Sequence, residues 1–474
     1  MIPVDPGARS QRQNRPASAR TMKPTVPLML FGWPVAALLL FLVMRPRRAV
    51  IVSILVATLF LPIAGYKVGG LPAYTKIAAT CLSAFIGVAL FDTRRLFAFR
   101  PAWADVPMAV WCVCPIFSSL VNDLGLHDGF TAVFYQTITW GVPYVLGRIY
   151  LKDLLGMYEL AVAIFIGGLV YMPLCLLEVR VSPQLHTWVY GYHQHTFDQS
   201  MRMGGYRPTV FMDHGIMVGL WMSMSTLAGF WLWQTGTLKS LFRISLPWLV
   251  IPLAVTTILC KSLGALILLG AGIGILIATR RTGSRAFVIA LAAAPVLYMV
   301  LRIPGIWSGE DLTEIATFIN PSRAKSLEFR LDNEDLLIKK AMMRPVFGWG
   351  GWGRSRVRDT SGRDITVTDG LWIIAFGNNG LVGLCSVVGS VLASLRGFMR
   401  RVPAEYWNHR YIAPAMAMCV MVLLFLVDCL FNDMKNPVYT LAGGGLACLK
   451  LGKVRKSAPA PARATDVQWL PKSS

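Results

Sequence analysis

The sequence predicts an all-α fold: a polytopic membrane helix bundle of 12 or 13 transmembrane helices with one large external loop. The chain has 474 residues, of which 55% are hydrophobic and 15% are charged, whereas soluble domains are about one quarter charged. Apolar runs of membrane-spanning length recur along most of the chain. Basic residues concentrate in the short loops between these runs, which is typical of cytoplasmic loops in membrane proteins.

The two ends of the chain are predicted to be disordered tails. Residues 1–25 are polar and basic, and residues 451–474 follow the last apolar run. The apolar run after the N-terminal tail is longer than the hydrophobic region of a signal peptide, and no small-residue cleavage site follows it. We therefore interpret that run as a retained membrane span.

Thirteen apolar segments are candidate spans, ten of them within residues 26–301 and three within residues 370–450. They lie at 26–43, 49–65, 75–91, 105–121, 129–147, 154–177, 210–233, 245–260, 263–279, 286–301, 370–395, 411–431 and 437–450. The basic loops all fall on one side of this arrangement, which predicts that this side is cytoplasmic. Segments 178–209 and 302–369 then lie on the external face.

The number of membrane spans stays undecided, because the span count and the charge of the N-terminal tail conflict. Thirteen spans with a cytoplasmic C-terminus place the basic N-terminal tail outside, against the positive-inside rule. Either one early segment is short or re-entrant, or the tail is an exception to the rule. The sequence therefore predicts 12 or 13 helices without deciding between them.

The net charge of +22, from 46 Lys and Arg against 24 Asp and Glu, would suggest a nucleic-acid partner in a soluble protein. In this chain the positive charge is explained by the basic residues in the loops between apolar runs, and no nucleic-acid recognition module accompanies it. The expected partner is therefore the lipid bilayer and not nucleic acid.

The nine cysteines lie in or beside apolar segments and predict no disulfide framework. His186, His193 and His195 lack a further ligand at a set spacing, so no metal site and no cofactor are predicted.

The predicted external loop 302–369 is rich in charge but nearly balanced, with 11 basic and 10 acidic residues. Residues 326–343 carry apolar residues at helical spacing and predict an amphipathic helix at the membrane surface, which Pro345 ends. Trp349 and Trp352 offer rings that stack on sugars, and the guanidinium of Arg354 matches phosphate oxygens. A sugar-phosphate ligand fits this loop, although an ordinary Trp-rich interfacial turn fits it too.

Several motifs follow one another across about residues 200–390. They are Arg207 in GYRPTVFMDHG, Lys261-Ser262 in CKSLGA, Arg330 in SLEFRLDNED, the turn PVFGWG at 345–350, Thr368-Asp369-Gly370, and Gly380-Leu381-Val382-Gly383. The PVFGWG turn between an Arg-bearing helix and the next span is the most specific of these. The order and spacing of the motifs resemble the O-antigen ligase and O-antigen polymerase superfamily of bacterial envelope glycosyltransferases.

The resemblance implies a glycosyltransferase C-like fold in the bacterial inner membrane, with the active site facing the periplasm. The implied reaction moves a glycan from an undecaprenyl-diphosphate carrier to a hydroxyl on a lipid or another glycan, in O-antigen or exopolysaccharide assembly. Arg207, Lys261 and Arg330 would bind the diphosphate without a metal. Asp369 would be the general base, with His214 as a second candidate. Because the ligases typically carry a histidine at the position of Asp369, this residue favours a divergent polymerase or exopolysaccharide enzyme.

Each candidate residue also has a purely structural interpretation. Arg207 and Lys261 can anchor to lipid headgroups, and Arg330 can pair with Glu334 one helical turn away. Asp369 can cap the following helix, and His214 can be a polar residue at a helix end. Two other functions also remain open: a transporter or flippase of lipid-linked glycans, and a non-catalytic protein of envelope polysaccharide assembly.

Overall fold

The computed structural model describes residues 22–451 except 68, 70, 71, 203, 320 and 352, and for 198, 316, 319 and 321–323 it describes the backbone alone. Most of the tails predicted at 1–25 and 451–474, and the candidate Trp352, lie outside the described residues. The α-helices are α1 Thr25–Val43, α2 Pro46–Phe60, α3 Lys76–Phe91, α4 Thr93–Phe97, α5 Val106–Val121, α6 Gly125–Gln136, α7 Val142–Tyr150, α8 Leu154–Val181, α9 Leu185–Tyr190, α10 Gly215–Gln234, α11 Pro247–Leu259, α12 Leu263–Thr282, α13 Ala286–Arg302, α14 Glu310–Ile319, α15 Pro321–Met342, α16 Leu371–Arg401, α17 Ala413–Asp428 and α18 Pro437–Ala447.

The remaining regular structure is short. A π-helical turn, Thr137–Gly141, joins α6 to α7, and 3-10 turns occur at Trp103–Asp105, Phe197–Ser200 and Ala404–Tyr406. The strands form antiparallel hairpins of two residues a side: β1 Gly65–Tyr66 with β2 Tyr74–Thr75, β3 Met201–Arg202 with β4 Gly205–Tyr206, and β5 Ser240–Leu241 with β6 Ile244–Ser245. The prediction of an all-α bundle is confirmed.

Short polar side chains set several helix starts. Thr75, Asp153 and Asn436 accept hydrogen bonds from backbone amides in the first turns of α3, α8 and α18, which satisfies donors that the helix itself leaves free. At the other end of a helix, Gly283 follows α12 with a φ of 65°, the left-handed conformation in which many helices end.

Each of the thirteen predicted spans contains a helix, but within the described residues six are long and apolar enough to cross a membrane. They are Thr25–Val43, Trp103–Val121, Leu154–Val181, Gly215–Gln234, Leu263–Thr282 and Leu371–Arg401. This number is below the predicted 12 or 13 because several apolar runs form shorter helices. The helix α18, for example, has 11 residues and all of them are buried.

The centre of the bundle is formed by α17 and α18. Nearly every side chain of α17 is buried, and α18 packs closely against α7. Glycines permit that approach: a Cβ added at Gly147 would lie 1.9 Å from the carbonyl oxygen of Leu441, and one at Gly444 would lie 2.1 Å from that of Tyr144. Apolarity in these segments therefore reflects burial within protein as well as contact with lipid.

The two ends of the bundle differ in their connections. At one end the basic loops contact one another: Arg47 pairs with Asp153, and the backbone amide of Lys450 donates to Lys152 O. At the other end Thr25 Oγ1 donates to Val189 O at 2.7 Å, so the start of α1 lies beside α9. The described chain thus begins at one end and finishes at the other, which requires an odd number of traverses of the bundle.

The predicted external segment 302–369 contains two helices, α14 and α15. The range of α15, Pro321–Met342, includes almost all of the predicted amphipathic helix at 326–343. Its apolar stripe, which includes Leu331, Ile338 and Ala341, is buried against the protein. This packing fixes the rotation of α15 and so determines which neighbours its charged residues meet.

Candidate functional site

Arg207 and Lys261, which are 54 residues apart in the sequence, meet at the end of the bundle that carries α9. Arg207 is buried and its Nη2 donates to Lys261 O at 3.1 Å. Two glycines make room for the cationic side chains: a Cβ at Gly205 would lie 2.1 Å from Lys261 Nζ, and one at Gly215 would lie 2.3 Å from Arg207 Cδ. Lys261 has a φ of 51°, a left-handed conformation that is uncommon for a residue with a side chain.

His214 caps the N-terminus of α10, and both of its ring nitrogens have partners. Its Nδ1 accepts from Ile216 N at 3.0 Å, so Nε2 carries the proton that faces Gln199 Oε1 at 2.9 Å. Burial, reinforced by nearby positive charges that include Arg207 and Arg330, lowers the pKa of His214 to about 3. His214 is therefore a neutral helix cap, and neither nitrogen has a lone pair available for a substrate proton.

Arg330 on α15 and Asp369 just before α16 form an ion pair. The distance from Arg330 Nε to Asp369 Oδ2 is 3.3 Å, and Arg330 Nη1 donates to Phe431 O at 3.1 Å. Both residues line a recess together with Phe329 and Asn333. Asp369 does not cap α16 with its side chain, because the capping position is Gly370 and no side-chain hydrogen bond is present there.

Arg330 does not pair with Glu334, because Glu334 faces a different set of partners. Tyr298 Oη donates to Glu334 Oε2 at 2.6 Å, and Trp372 Nε1 donates to Oε1 at 3.3 Å. Arg302 is 1% exposed at its side chain and lies 3.6 Å from the same carboxylate. This buried cluster joins α13, α15 and α16 and thereby positions Arg330.

Sequence reasoning missed Arg302 because it ends an apolar run, where an arginine is usually taken to reach the lipid headgroups. It instead turns inward, where its Nη2 donates to Leu331 O at 3.0 Å. No local signal distinguishes these two orientations. The distinction depends on the packing of α15 against α13.

The two halves of the predicted site lie close to each other. Arg330 is among the positive charges that act on His214, together with Arg207 and Arg202. Five predicted residues from four separate segments, namely Arg207, His214, Lys261, Arg330 and Asp369, therefore gather at one end of the bundle. Such a group of guanidinium and ammonium groups suits an anion with several oxygens.

A second set of charged residues adjoins this site and was not predicted from the sequence. Lys76 at the start of α3 donates to Phe211 O at 2.8 Å, and Lys435 pairs with Asp433 at 3.1 Å. Asp213 lies between them and is accessible to solvent, yet desolvation by the surrounding protein raises the pKa of its carboxyl. Lys76, Asp213, Asp433 and Lys435 therefore form one charged group at this end of the bundle. The signal available in the sequence was Asp213 itself, directly before His214 in FMDHG.

The PVFGWG turn fits into a break in α16. Gly380 interrupts that helix with a φ of 64° and a ψ of −164°. Backbone hydrogen bonds join the turn to the helix on both sides of the break. Leu381 N donates to Pro345 O at 2.7 Å, and Trp349 N donates to Gly377 O at 2.9 Å. The turn thus satisfies backbone groups that the broken helix leaves free.

Trp349 and Arg354, predicted to contact glycan, have partners within the protein. Trp349 Nε1 donates to Lys340 O at 2.8 Å, and the Lys340 ammonium lies 3.7 Å from the centre of the Trp349 ring. Arg354 Nη1 lies 3.6 Å from Asp128 Oδ2 of α6. The turn is therefore fixed to its neighbours and does not hang free over the charged site.

The remaining histidines and the cysteines have structural surroundings. His186 is buried among Tyr190, Tyr192 and Phe211, and its Nδ1 contacts Tyr192 O at 2.8 Å. In the part of the chain that the structure describes, no group of three or more His, Cys, Asp or Glu residues is arranged to hold a metal ion. All nine cysteines are free thiols.

Comparison with known proteins adds no assignment. No protein-family model matches the chain, and no curated protein matches its sequence.

Proposed function

We propose that the protein is a membrane glycosyltransferase that moves a glycan from an undecaprenyl-diphosphate carrier to a hydroxyl on a lipid or on another glycan. The observation that carries this proposal is the gathering of Arg207, Lys261 and Arg330, from three distant segments, beside carboxylates at one end of an apolar bundle. An anionic head group on an apolar tail is the kind of ligand that such a place would bind.

The chemistry of a diphosphate leaving group explains why cations are needed. When the bond from the anomeric carbon to the diphosphate breaks, negative charge grows on the phosphate oxygens. Positive groups fixed in a poorly hydrated site stabilise that charge and need no metal ion to do so. Arg207 is held by its contact with Lys261, and Arg330 is held by Asp369 and the backbone of Phe431.

The proposed setting is the bacterial inner membrane, with the charged end of the bundle facing the periplasm and the basic loops facing the cytoplasm. In this proposal the shorter apolar helices also cross the bilayer in a glycosyltransferase C-like arrangement. Thirteen crossings agree with the odd number of traverses. The position of Asp369 favours a polymerase or exopolysaccharide enzyme over a ligase.

The proposal is tested with purified protein in liposomes that contain an undecaprenyl-diphosphate-linked oligosaccharide. Release of undecaprenyl diphosphate and formation of a longer or transferred glycan are measured together by mass spectrometry. Arg207→Ala, Lys261→Ala and Arg330→Ala should each lower release at least about 100-fold, since removing one transition-state donor typically has this effect.

The matched control is Arg48→Ala, which removes a guanidinium from the opposite end of the bundle, where Arg48 pairs with Glu159 at 2.9 Å. This variant should keep the wild-type rate. Full activity in all three site variants, or no product from the wild type with any lipid-linked glycan of the source cell envelope, would refute the proposal.

A transporter or flippase of lipid-linked glycans is the second candidate, and the broken helix α16 is the observation that favours it, since transporters often bind substrates at such breaks. The break here is filled by the 345–350 turn, whose backbone pairs with residues 377–382. Movement of the lipid-linked glycan across liposomes without any covalent product would favour this second function.

A further inference from the structure

We propose that Asp213 is the carboxylate that takes the proton from the acceptor hydroxyl. This inference rests on the proposed glycosyl transfer and identifies a base that the resemblance does not imply. It follows from how residues 209–214 are held and from what the other candidate bases are already doing.

The loop before α10 is fixed by hydrogen bonds from several sides. Buried Glu178 accepts from Thr209 N at 2.8 Å and from Val210 N at 2.7 Å. The hydroxyl of Tyr171 accepts from Phe211 N at 3.1 Å. The backbone is therefore rigid, and Val210 takes a φ of 49° within it.

Side chains from two further segments also hold the backbone of this loop. Lys76 donates to Phe211 O at 2.8 Å, and Gln194 Nε2 donates to Met212 O at 3.0 Å. His214 then caps α10. The Asp213 side chain makes no hydrogen bond or ion pair with any residue that the structure describes.

Asp213 therefore has no evident role in holding the loop, although the loop holds it firmly. Asp213 is exposed to solvent, and its carboxyl lies near Lys76 of α3, His195 of the 191–200 segment, and Asp433 and Lys435 before α18. Desolvation raises the pKa of its carboxyl, which brings the proton affinity closer to what a general base needs. A fixed, accessible and unengaged carboxylate can accept a proton without first breaking a contact.

The two residues that the sequence offered as general bases, Asp369 and His214, already have partners within the protein. Asp369 holds Arg330 at 3.3 Å, so it positions a donor-binding cation. His214 uses both ring nitrogens to cap α10 and to meet Gln199. Asp213 precedes His214 directly, and the two residues share a neighbour: His195 packs against the His214 ring with 4.6 Å between the ring centres and also lies near the Asp213 carboxyl.

The proposed step is a single displacement. The acceptor oxygen forms a bond to the anomeric carbon, and the bond from that carbon to the bridging diphosphate oxygen breaks. The electron pair of the broken bond leaves on the diphosphate, which the cations stabilise. The proton of the acceptor hydroxyl passes to a carboxylate oxygen of Asp213.

The experiment uses the full chain in liposomes with an undecaprenyl-diphosphate-linked oligosaccharide as donor and acceptor. Asp213→Asn should lower kcat at least about 100-fold, the usual contribution of a general base, with the KM of the donor changed less than threefold. Added azide should restore turnover and yield a glycosyl azide, because azide attacks without losing a proton. In the wild type the turnover rate should rise with pH as Asp213 ionises. The turnover rate of Asp213→Asn should not show this rise.

Two further variants make the result specific. Glu159→Gln, which removes a carboxylate paired with Arg48 at the opposite end of the bundle, should stay within threefold of the wild type. Asp369→Asn should raise the KM of the donor more than it lowers kcat, and azide should not correct that change.

Wild-type turnover with equal activity in Asp213→Asn would overturn this inference and leave the proposed function standing. Loss of activity in Asp213→Asn without rescue by azide would also overturn it, because it would indicate a structural role. Absence of turnover in the wild type would instead refute the proposed function itself.

Discussion

The junction between the PVFGWG turn and α16 yields a quantitative prediction for Gly380→Ala. Gly380 has a φ of 64° and a ψ of −164°, a region that only glycine occupies readily. A side chain held there costs about 1–3 kcal/mol. A Cβ at this position would also lie 2.2 Å from Val346 O and 2.6 Å from Phe347 N, which are backbone atoms that cannot turn aside.

The clash would separate the turn from the helix. The hydrogen bonds from Leu381 N to Pro345 O and from Val382 N to Val346 O would be lost or lengthened, at about 1 kcal/mol each. Together with the backbone strain, we expect the free energy of unfolding to fall by about 3–5 kcal/mol.

Denaturant titration of the purified protein in detergent micelles, followed by tryptophan fluorescence, measures this change. The matched control is Gly274→Ala in α12, where an added Cβ meets nothing within 4 Å. That control should be neutral or more stable by about 0.5–1 kcal/mol, since alanine is the better helix former. A Gly380→Ala protein within about 1 kcal/mol of the wild type, a typical mutational effect, would refute the reasoning.

Three further predictions concern the charged end of the bundle. Arg302→Leu leaves buried Glu334 without its cation and should lower the free energy of unfolding by about 3–5 kcal/mol. Gly205→Ala places a methyl group where Lys261 Nζ lies; because this end of the side chain is flexible, donor KM should rise several-fold at nearly unchanged stability. His214→Asn keeps a helix cap but cannot titrate, so its stability should fall less steeply in acid than that of the wild type.

The pH window for His214 follows from its folded pKa of about 3 against an ordinary value of 6.5. A lowered folded pKa contributes stability above about pH 6.5, and that contribution is lost as pH falls towards 3. Identical acid unfolding curves for His214→Asn and the wild type would contradict this assignment.

The remaining two predictions have equally direct checks. For Arg302 the control is Arg48→Leu, because the Arg48 side chain is exposed and its loss is expected to cost less than about 1 kcal/mol. Equal losses in the two variants would contradict the role of burial. For Gly205, an unchanged donor KM would show that the Lys261 ammonium does not contact the donor.

The positions of the helices were largely predictable because they depend on local patterns. Each apolar run became a helix, and polar caps or prolines fixed many of its ends. The number of membrane-spanning helices was not predictable in the same way, because α18 is apolar through burial in protein. Hydropathy alone does not distinguish contact with lipid from contact with other helices.

The sequence by itself determined an α-helical membrane bundle and the separation of its basic loops to one end, since hydrophobic periodicity and charge act over a few residues. Only the tertiary structure decided that Arg330 meets Asp369 and not Glu334, that the PVFGWG turn fills the break in α16, and that Asp213 lies near Lys76 and Lys435. These contacts depend on how α13, α15 and α16 rotate against one another. That rotation follows from which apolar faces pack together, a property of the whole bundle and not of any one segment.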